Sequence, residues 1–253
     1  MNTKTAGRVV GGLILLGFLL YGGGSFLVAS VTSGADPLPQ GADQQAQLSA
    51  GAVLMLLNSF AVTAIGVVAF PVLRRHHLRT AYTYLVTRTV EGVLVAVSTL
   101  GALALVPLAR ESADADGAAG SVLAATGRVA QQTSEYAYWL AMMALGAGSV
   151  FFCRALLQTR LLPRVLAAWG MFGYAVFALG ALLEVAGYHV GLALSVPGGL
   201  FEVAAGLLLL VKGFAVNDAA STDEAPSYQG RRGDVRPRNR HRVPSGSQEW
   251  IAT

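Results

Sequence analysis

Six long apolar stretches, separated by short polar ones, dominate the pattern of the chain: about Val9 to Val31, Leu48 to Leu73, Ala81 to Leu108, Tyr136 to Leu157, Val165 to Ala186 and Gly191 to Val211. Each reaches the roughly 20 residues that a helix needs to cross a hydrocarbon core of about 30 Å. Apolar residues run nearly all round each stretch, as lipid-facing helices require, so periodicity does not fix their ends. The pattern predicts an all-α, polytopic membrane bundle of six transmembrane helices over residues 1–216. From Asn217 to Thr253 the chain turns polar and rich in Ser, Pro, Asp and Arg, too poor in apolar surface to offset the entropy of ordering, and is expected to be a disordered basic tail.

Composition agrees with the pattern. Of 253 residues, 54% are hydrophobic and 13% charged, against about a quarter charged in ordinary soluble domains. The net charge of +4 does not mark a nucleic-acid binder, because the arginines flank apolar runs or fall in the tail. Arg74, Arg75 and Arg79 fill the second loop and Arg154, Arg160 and Arg164 surround the fourth, whereas Thr32 to Gln47 and Gly187 to Val190 carry no Lys or Arg. The positive-inside rule then places both termini in the cytoplasm. The third connection, Arg110 to Glu135, has two arginines in 26 residues and reads as external. Arginine outnumbers lysine 16 to 2, a usage that hints at a GC-rich bacterial genome and so at the bacterial cytoplasmic membrane.

The first stretch follows Lys4 and Arg8, and Ser33-Gly-Ala35 resembles a cleavage site, but some 23 apolar residues exceed the usual signal-peptide core, so an uncleaved helix is expected. The block Arg231 to Arg242 holds six arginines, which reads as a solvated topology anchor able to attract anionic lipid. The lone Cys153 excludes an intramolecular disulfide.

The informative residues are the charges inside the stretches. Arg88 and Glu91 lie in the third, Glu184 in the fifth and Glu202 in the sixth. Uncompensated, each would cost roughly 2.5 to 3.5 kcal/mol at a helix centre, so such groups face the bundle interior and find partners. Glu91, Glu202 and Asn58 lie ten or eleven residues into their stretches, near the midplane, with Arg88 about one turn nearer the cytoplasm. Tyr84, Arg88, Glu91, Val95 and Ser98 form one helical stripe, and Ser195, Gly199, Glu202 and Gly206 another. The third and sixth stretches are therefore expected to pack along these stripes, with Arg88 bridging Glu91 and Glu202. The intramembrane polar cluster is Asn58, Arg88, Glu91 and Glu202.

Weaker stripes run through Glu135, Trp139, Met142, Gly146, Ser149 and Cys153, and through Gly173, Phe177, Gly180, Glu184 and Gly187; these read as ordinary helix seams. Tyr136, Tyr138, Trp169 and Tyr188 fall near predicted helix ends and read as interfacial anchors. His76 and His77 stand without a second ligand cluster, so no metal is expected, and no nucleophile or cofactor motif supports an enzyme. Glu91 and Glu202 occupy similar places in the two halves, a faint hint of an inverted repeat.

Four segments carry a resemblance: "FPVLRRH" after Asn58, "YLVTRTVEGVL" around Arg88 and Glu91, "LLPRVLAAWGMFGY" around Pro163, Arg164, Trp169 and Gly170, and "VPGGLFEVAAGLLLLVKGF" around Phe201, Glu202, Lys212, Gly213 and Phe214. In this order they resemble a bacterial multi-pass membrane family catalogued as domain of unknown function four-three-eight-six. The resemblance implies the fold over about Val9 to Phe214 and brings no activity. Two functions fit the residues. One is a small transporter or ion and proton pathway with a buried Arg/Glu centre, taking a small solute or ion. The other is a non-enzymatic membrane interaction or stress-response protein in which the cluster fixes helix register. No cofactor and no nucleic-acid partner is expected; the partners are the bilayer and anionic lipid at the basic loops and tail.

Overall fold

The computed structural model describes residues 1–34, 38, 41–113, 115 and 117–215, and among these it contains helices and no strand. The polar tail from Asn217 lies outside the described residues. The helices are α1 (Thr3–Thr32), α2 (Gly41–Leu73), α3 (Leu78–Leu103), α4 (Leu105–Ala113), α5 (Ala118–Thr159), α6 (Arg164–Val185) and α7 (Gly191–Lys212). Six of the spans are long and apolar enough to cross a membrane, α3 and α4 together making one. Large apolar side chains such as Leu19, Phe26, Phe60, Leu100 and Leu192 stand exposed on every side, which water would penalise and lipid does not. The chain is a multi-pass membrane protein.

Local chemistry sets the helix ends. Asn2 caps α1, its Oδ1 accepting a 2.7 Å bond from the Thr5 N–H. Pro107 has no N–H for the Leu103 carbonyl, and α3 stops at Leu103 with Ala104 as its cap. The third predicted stretch is thus broken in two. Arg160 ends α5 in the left-handed region, φ 53°. Pro197 sits in the second turn of α7 and leaves the Ala193 carbonyl without its helical partner.

The expected 26-residue third loop is a correction. Most of it is helix: α4 reaches Ala113 and α5 starts at Ala118. The sequence there is rich in Ala and lacks Pro, so nothing stops the helix once it leaves the apolar stretch. At 42 residues α5 is about 63 Å long, well beyond the 40 to 45 Å of a bilayer with its headgroups. α4 folds back on α5, and Leu105, Val106 and Ala109 join Leu38 and Leu48 in a small second core.

The six spans close into a ring. In order round the bundle the packing neighbours are α1, α2, α3, α5, α6 and α7, and α7 returns to α1. Glycines let the backbones meet: Gly24 with Gly51 (α1 and α2), Gly92 with Ser59 and Thr63 (α3 and α2), Gly148 with Thr87 (α5 and α3), Gly146 with Ala178 (α5 and α6), and Gly173 with Pro197 and Gly198 (α6 and α7). Gly7 and Gly11 of α1 meet Gly213, Phe214, Gly206 and Leu210 at the end of α7. The start of α1 and the end of α7 therefore share one end of the ring, together with the α2–α3 and α5–α6 turns.

Candidate functional site

The stripe predicted on the third stretch faces the ring interior. Tyr84, Arg88, Glu91, Val95 and Ser98 are each at most 3% exposed. At one turn's spacing on α3, Arg88 reaches both neighbours on its own helix: Nε donates to Tyr84 Oη at 3.0 Å and Nη1 to Glu91 Oε2 at 2.9 Å. The Tyr84 ring is itself held by stacking on Phe152 of α5, with centroids 4.0 Å apart. This geometry locks the guanidinium so that its Nη2 lies 3.9 Å from Glu202 Oε1 of α7. Tyr174 of α6 completes the group by donating a 2.6 Å bond to the same Oε1.

Arg88 therefore stands between the two carboxylates, but not by helix packing. α7 packs against α6 and α1, and α3 against α2, α4 and α5. The two stripes look at one another across the interior instead of forming a seam. The physical reason lies in what their small residues touch: Gly92 receives α2, and Gly206 receives Ile14 and Leu15 of α1, while Gly199 meets nothing.

The space they face is a cavity of about 220 Å³, lined by residues of all six spans. It is larger than the ~150 Å³ that admits a benzene. Arg88 and Glu91 of α3 and Glu202 of α7 line it, and Asn58 of α2 lies in its wall. Asn58 is 6% exposed, and its Oδ1 has no hydrogen-bond partner among the described residues. A buried amide oxygen left unpaired costs about 1 to 3 kcal/mol. The four residues chosen from the sequence thus border one cavity, but only Arg88, Glu91 and Glu202 pair with each other.

Sequence reasoning missed the aromatic part of the site. Tyr21 of α1 and Tyr138 of α5 stack across the ring, with centroids 5.1 Å apart and planes 12° apart, on helices that are not packing neighbours. Both line the cavity with Tyr174 and Phe177. Tyr138, expected as an interfacial anchor, is a correction: it lines the cavity and stacks on Tyr21, which lies mid-way along α1. The usable signal was depth, since Tyr21 and Tyr174 lie in mid-stretch, where an anchor has no place. Tyr136, Trp169 and Tyr188 do stand exposed.

The remaining charges are peripheral. Glu184 accepts from the Gly191 N–H at 3.3 Å at the start of α7 and lies 3.4 Å from the His189 ring, which is itself exposed. The small-residue stripe of α6 is the α6–α7 seam, with Gly173 and Gly180 against α7. At the end where α1 starts, Lys4, Arg160, Arg164 and Lys212 line a second cleft of about 440 Å³.

Comparisons with the curated proteins and with the solved structures find no match. A family model, described as Domain of unknown function (DUF4386), matches residues 9–213. That match takes in most of α1, the other five spans whole and every residue of the central cluster, and so the chain belongs to the DUF4386 family.

Proposed function

We propose that this protein is a small membrane transporter or ion and proton pathway whose working centre is Glu91, Glu202 and Arg88, with Asn58 in the wall. The observation that supports it is the cavity itself: both carboxylates border a space large enough for a solute, beside an unpaired buried amide oxygen. A network built only for register is better served by close packing, because a void forfeits contacts with its lining. Buried carboxylates next to a cavity can bind a cation or exchange a proton as the environment changes.

The second reading, a register-fixing network in a non-enzymatic interaction or stress-response protein, draws on one observation. Arg88 and Glu91 are 2.9 Å apart on one helix and both almost fully buried, a pair that holds together without any ligand. In either reading the basic end of the ring faces a bacterial cytoplasm by the positive-inside rule, and the cleft of Lys4, Arg160, Arg164 and Lys212 meets anionic lipid headgroups.

The test replaces Glu91 and Glu202 by Gln in the full chain and compares folded yield with ion or proton flux in reconstituted vesicles. Flux lost from folded variants supports the pathway. Folding lost from both supports the network.

A further inference from the structure

We infer that the central cavity takes a monovalent organic cation with a small apolar body, and that this ligand enters sideways from the bilayer between α1 and α7. The inference rests on the cavity being a binding centre, and adds the ligand class and the route.

Charge and hydrogen bonding select the ligand. The ionisable groups Arg88, Glu91 and Glu202 in the lining sum to one net negative charge when ionised. Two of the donor nitrogens of Arg88 are committed, to Tyr84 and Glu91. Glu91 Oε1 and Glu202 Oε2 accept no hydrogen bond from any described residue, whereas the unpaired Asn58 Oδ1 is buried against Gly17 of α1. Two open carboxylate oxygens with a net negative charge call for a cation that brings N–H donors. An anion would meet the wrong sign.

The rest of the wall is apolar and aromatic. Phe18, Tyr21, Tyr138, Tyr174 and Phe177 line the cavity with Leu, Ile and Val side chains. Aromatic faces attract a cation, by up to about 2 kcal/mol each when desolvated. A calcium ion takes about six to eight oxygen ligands at about 2.3 to 2.6 Å, and among the described residues no group of three or more His, Cys, Asp or Glu side chains is placed to hold a metal ion. A volume of about 220 Å³ suits a body of one aromatic ring with a short arm, since ~150 Å³ accepts benzene.

The route follows from where the glycine contacts stop. α1 and α7 touch closely from Gly7 to Leu15 on one and from Gly206 to Gly213 on the other. Beyond Leu15 the facing glycines no longer meet the partner helix: Gly17 faces Asn58 of α2, and neither Gly22 of α1 nor Gly199 of α7 has any atom within 4 Å of an added Cβ. Gly17, Phe18, Gly22, Ser195 and Gly199 nevertheless all line the cavity. The gap between the two helices thus leads from the lipid-facing surface to the acceptors. α1 is also the least embedded span, with 6% of its apolar window buried against 28% to 56% for the others.

The experiment is calorimetric titration of the purified full chain with phenethylammonium, phenethyl alcohol and phenylacetate, three ligands of one shape with positive, zero and negative charge. Phenethylammonium is expected to bind at least tenfold more tightly than the other two, and Glu202→Gln to weaken it at least tenfold. Gly199→Leu, whose Cβ meets no atom within 4 Å, is expected to slow association at an unchanged melting temperature. Equal or tighter binding of the alcohol or the carboxylate, or no binding of phenethylammonium to folded protein, overturns the ligand class. An unchanged association rate in Gly199→Leu overturns the route. If Glu202→Gln does not fold, the three-ligand series on the native chain decides. Proton flux without phenethylammonium binding defeats this inference and leaves the pathway standing; binding without any flux does the reverse.

Discussion

Tyr174 donates its hydroxyl proton to Oε1 of Glu202 across 2.6 Å, and that single contact determines which oxygen of the carboxylate remains open to the cavity. The Tyr174 ring is held edge-on against Phe201, 5.6 Å between centroids, so the hydroxyl is aimed rather than free. Tyr174→Phe keeps the ring and removes the donor. The expected result is a loss of about 1.5 to 3 kcal/mol in stability, the usual worth of a hydrogen bond to a charged group, measured by thermal unfolding. An unchanged melting temperature would mean that the bond contributes nothing.

Arg88 and Glu91 support a double-mutant cycle. Removing Arg88 alone, as Arg88→Leu, strands a carboxylate whose side chain is 4% exposed and is expected to cost about 3 to 5 kcal/mol. Adding Glu91→Leu removes the stranded charge and is expected to recover part of that loss. A double variant less stable than Arg88→Leu contradicts the pairing.

The bundle and its cluster were legible in the sequence because lipid imposes simple rules: length and apolar run give the spans, and an intramembrane charge is too costly to occur by accident. Arg88, Glu91, Glu202 and Asn58 could be chosen by depth and face alone. The ring order could not, because the stripe on α7 offers small residues to any partner, and only the folded chain reveals that Gly206 meets α1 while Gly199 meets open space. The break at Ala104 was written in Pro107, but the polarity of residues 110–135 hid a helix that continues beyond the apolar stretch. Tyr138 was misread for the same reason: its distance from the end of the apolar stretch is small, and its distance from the end of the helix is large.

Two glycines on α1 should respond in opposite ways. A Cβ at Gly11 would lie 2.5 Å from the Gly206 carbonyl oxygen and 2.5 Å from the Leu210 nitrogen, so Gly11→Ala must push α1 off α7. The expected cost is about 1 to 3 kcal/mol. Gly22→Ala meets no atom within 4 Å and gains up to about 1 kcal/mol of helix propensity. Melting temperatures of the two variants in one detergent check both, and a Gly22→Ala loss as large as that of Gly11→Ala would refute the gap beside Gly22.

Ser149 of α5 is fully buried, and its hydroxyl has no partner among the described residues. An unpaired buried hydroxyl is a cost, so Ser149→Ala is expected to be neutral or stabilising, within about 1 kcal/mol. A marked loss in the unfolding profile would reveal a partner for that hydroxyl.

Proton or monovalent-cation flux into vesicles holding Glu202→Gln, set beside flux through the unaltered chain, tests the central claim most directly. Glu202 has the more exposed of the two carboxylates, its side chain 17% exposed against 4% for Glu91, and it borders the cavity while Tyr174 and Arg88 hold it in place. The account predicts that the folded variant loses flux by at least tenfold, equivalent to about 1.4 kcal/mol or more. Equal flux through Glu202→Gln and the unaltered chain, with both folded to the same melting temperature, would contradict it.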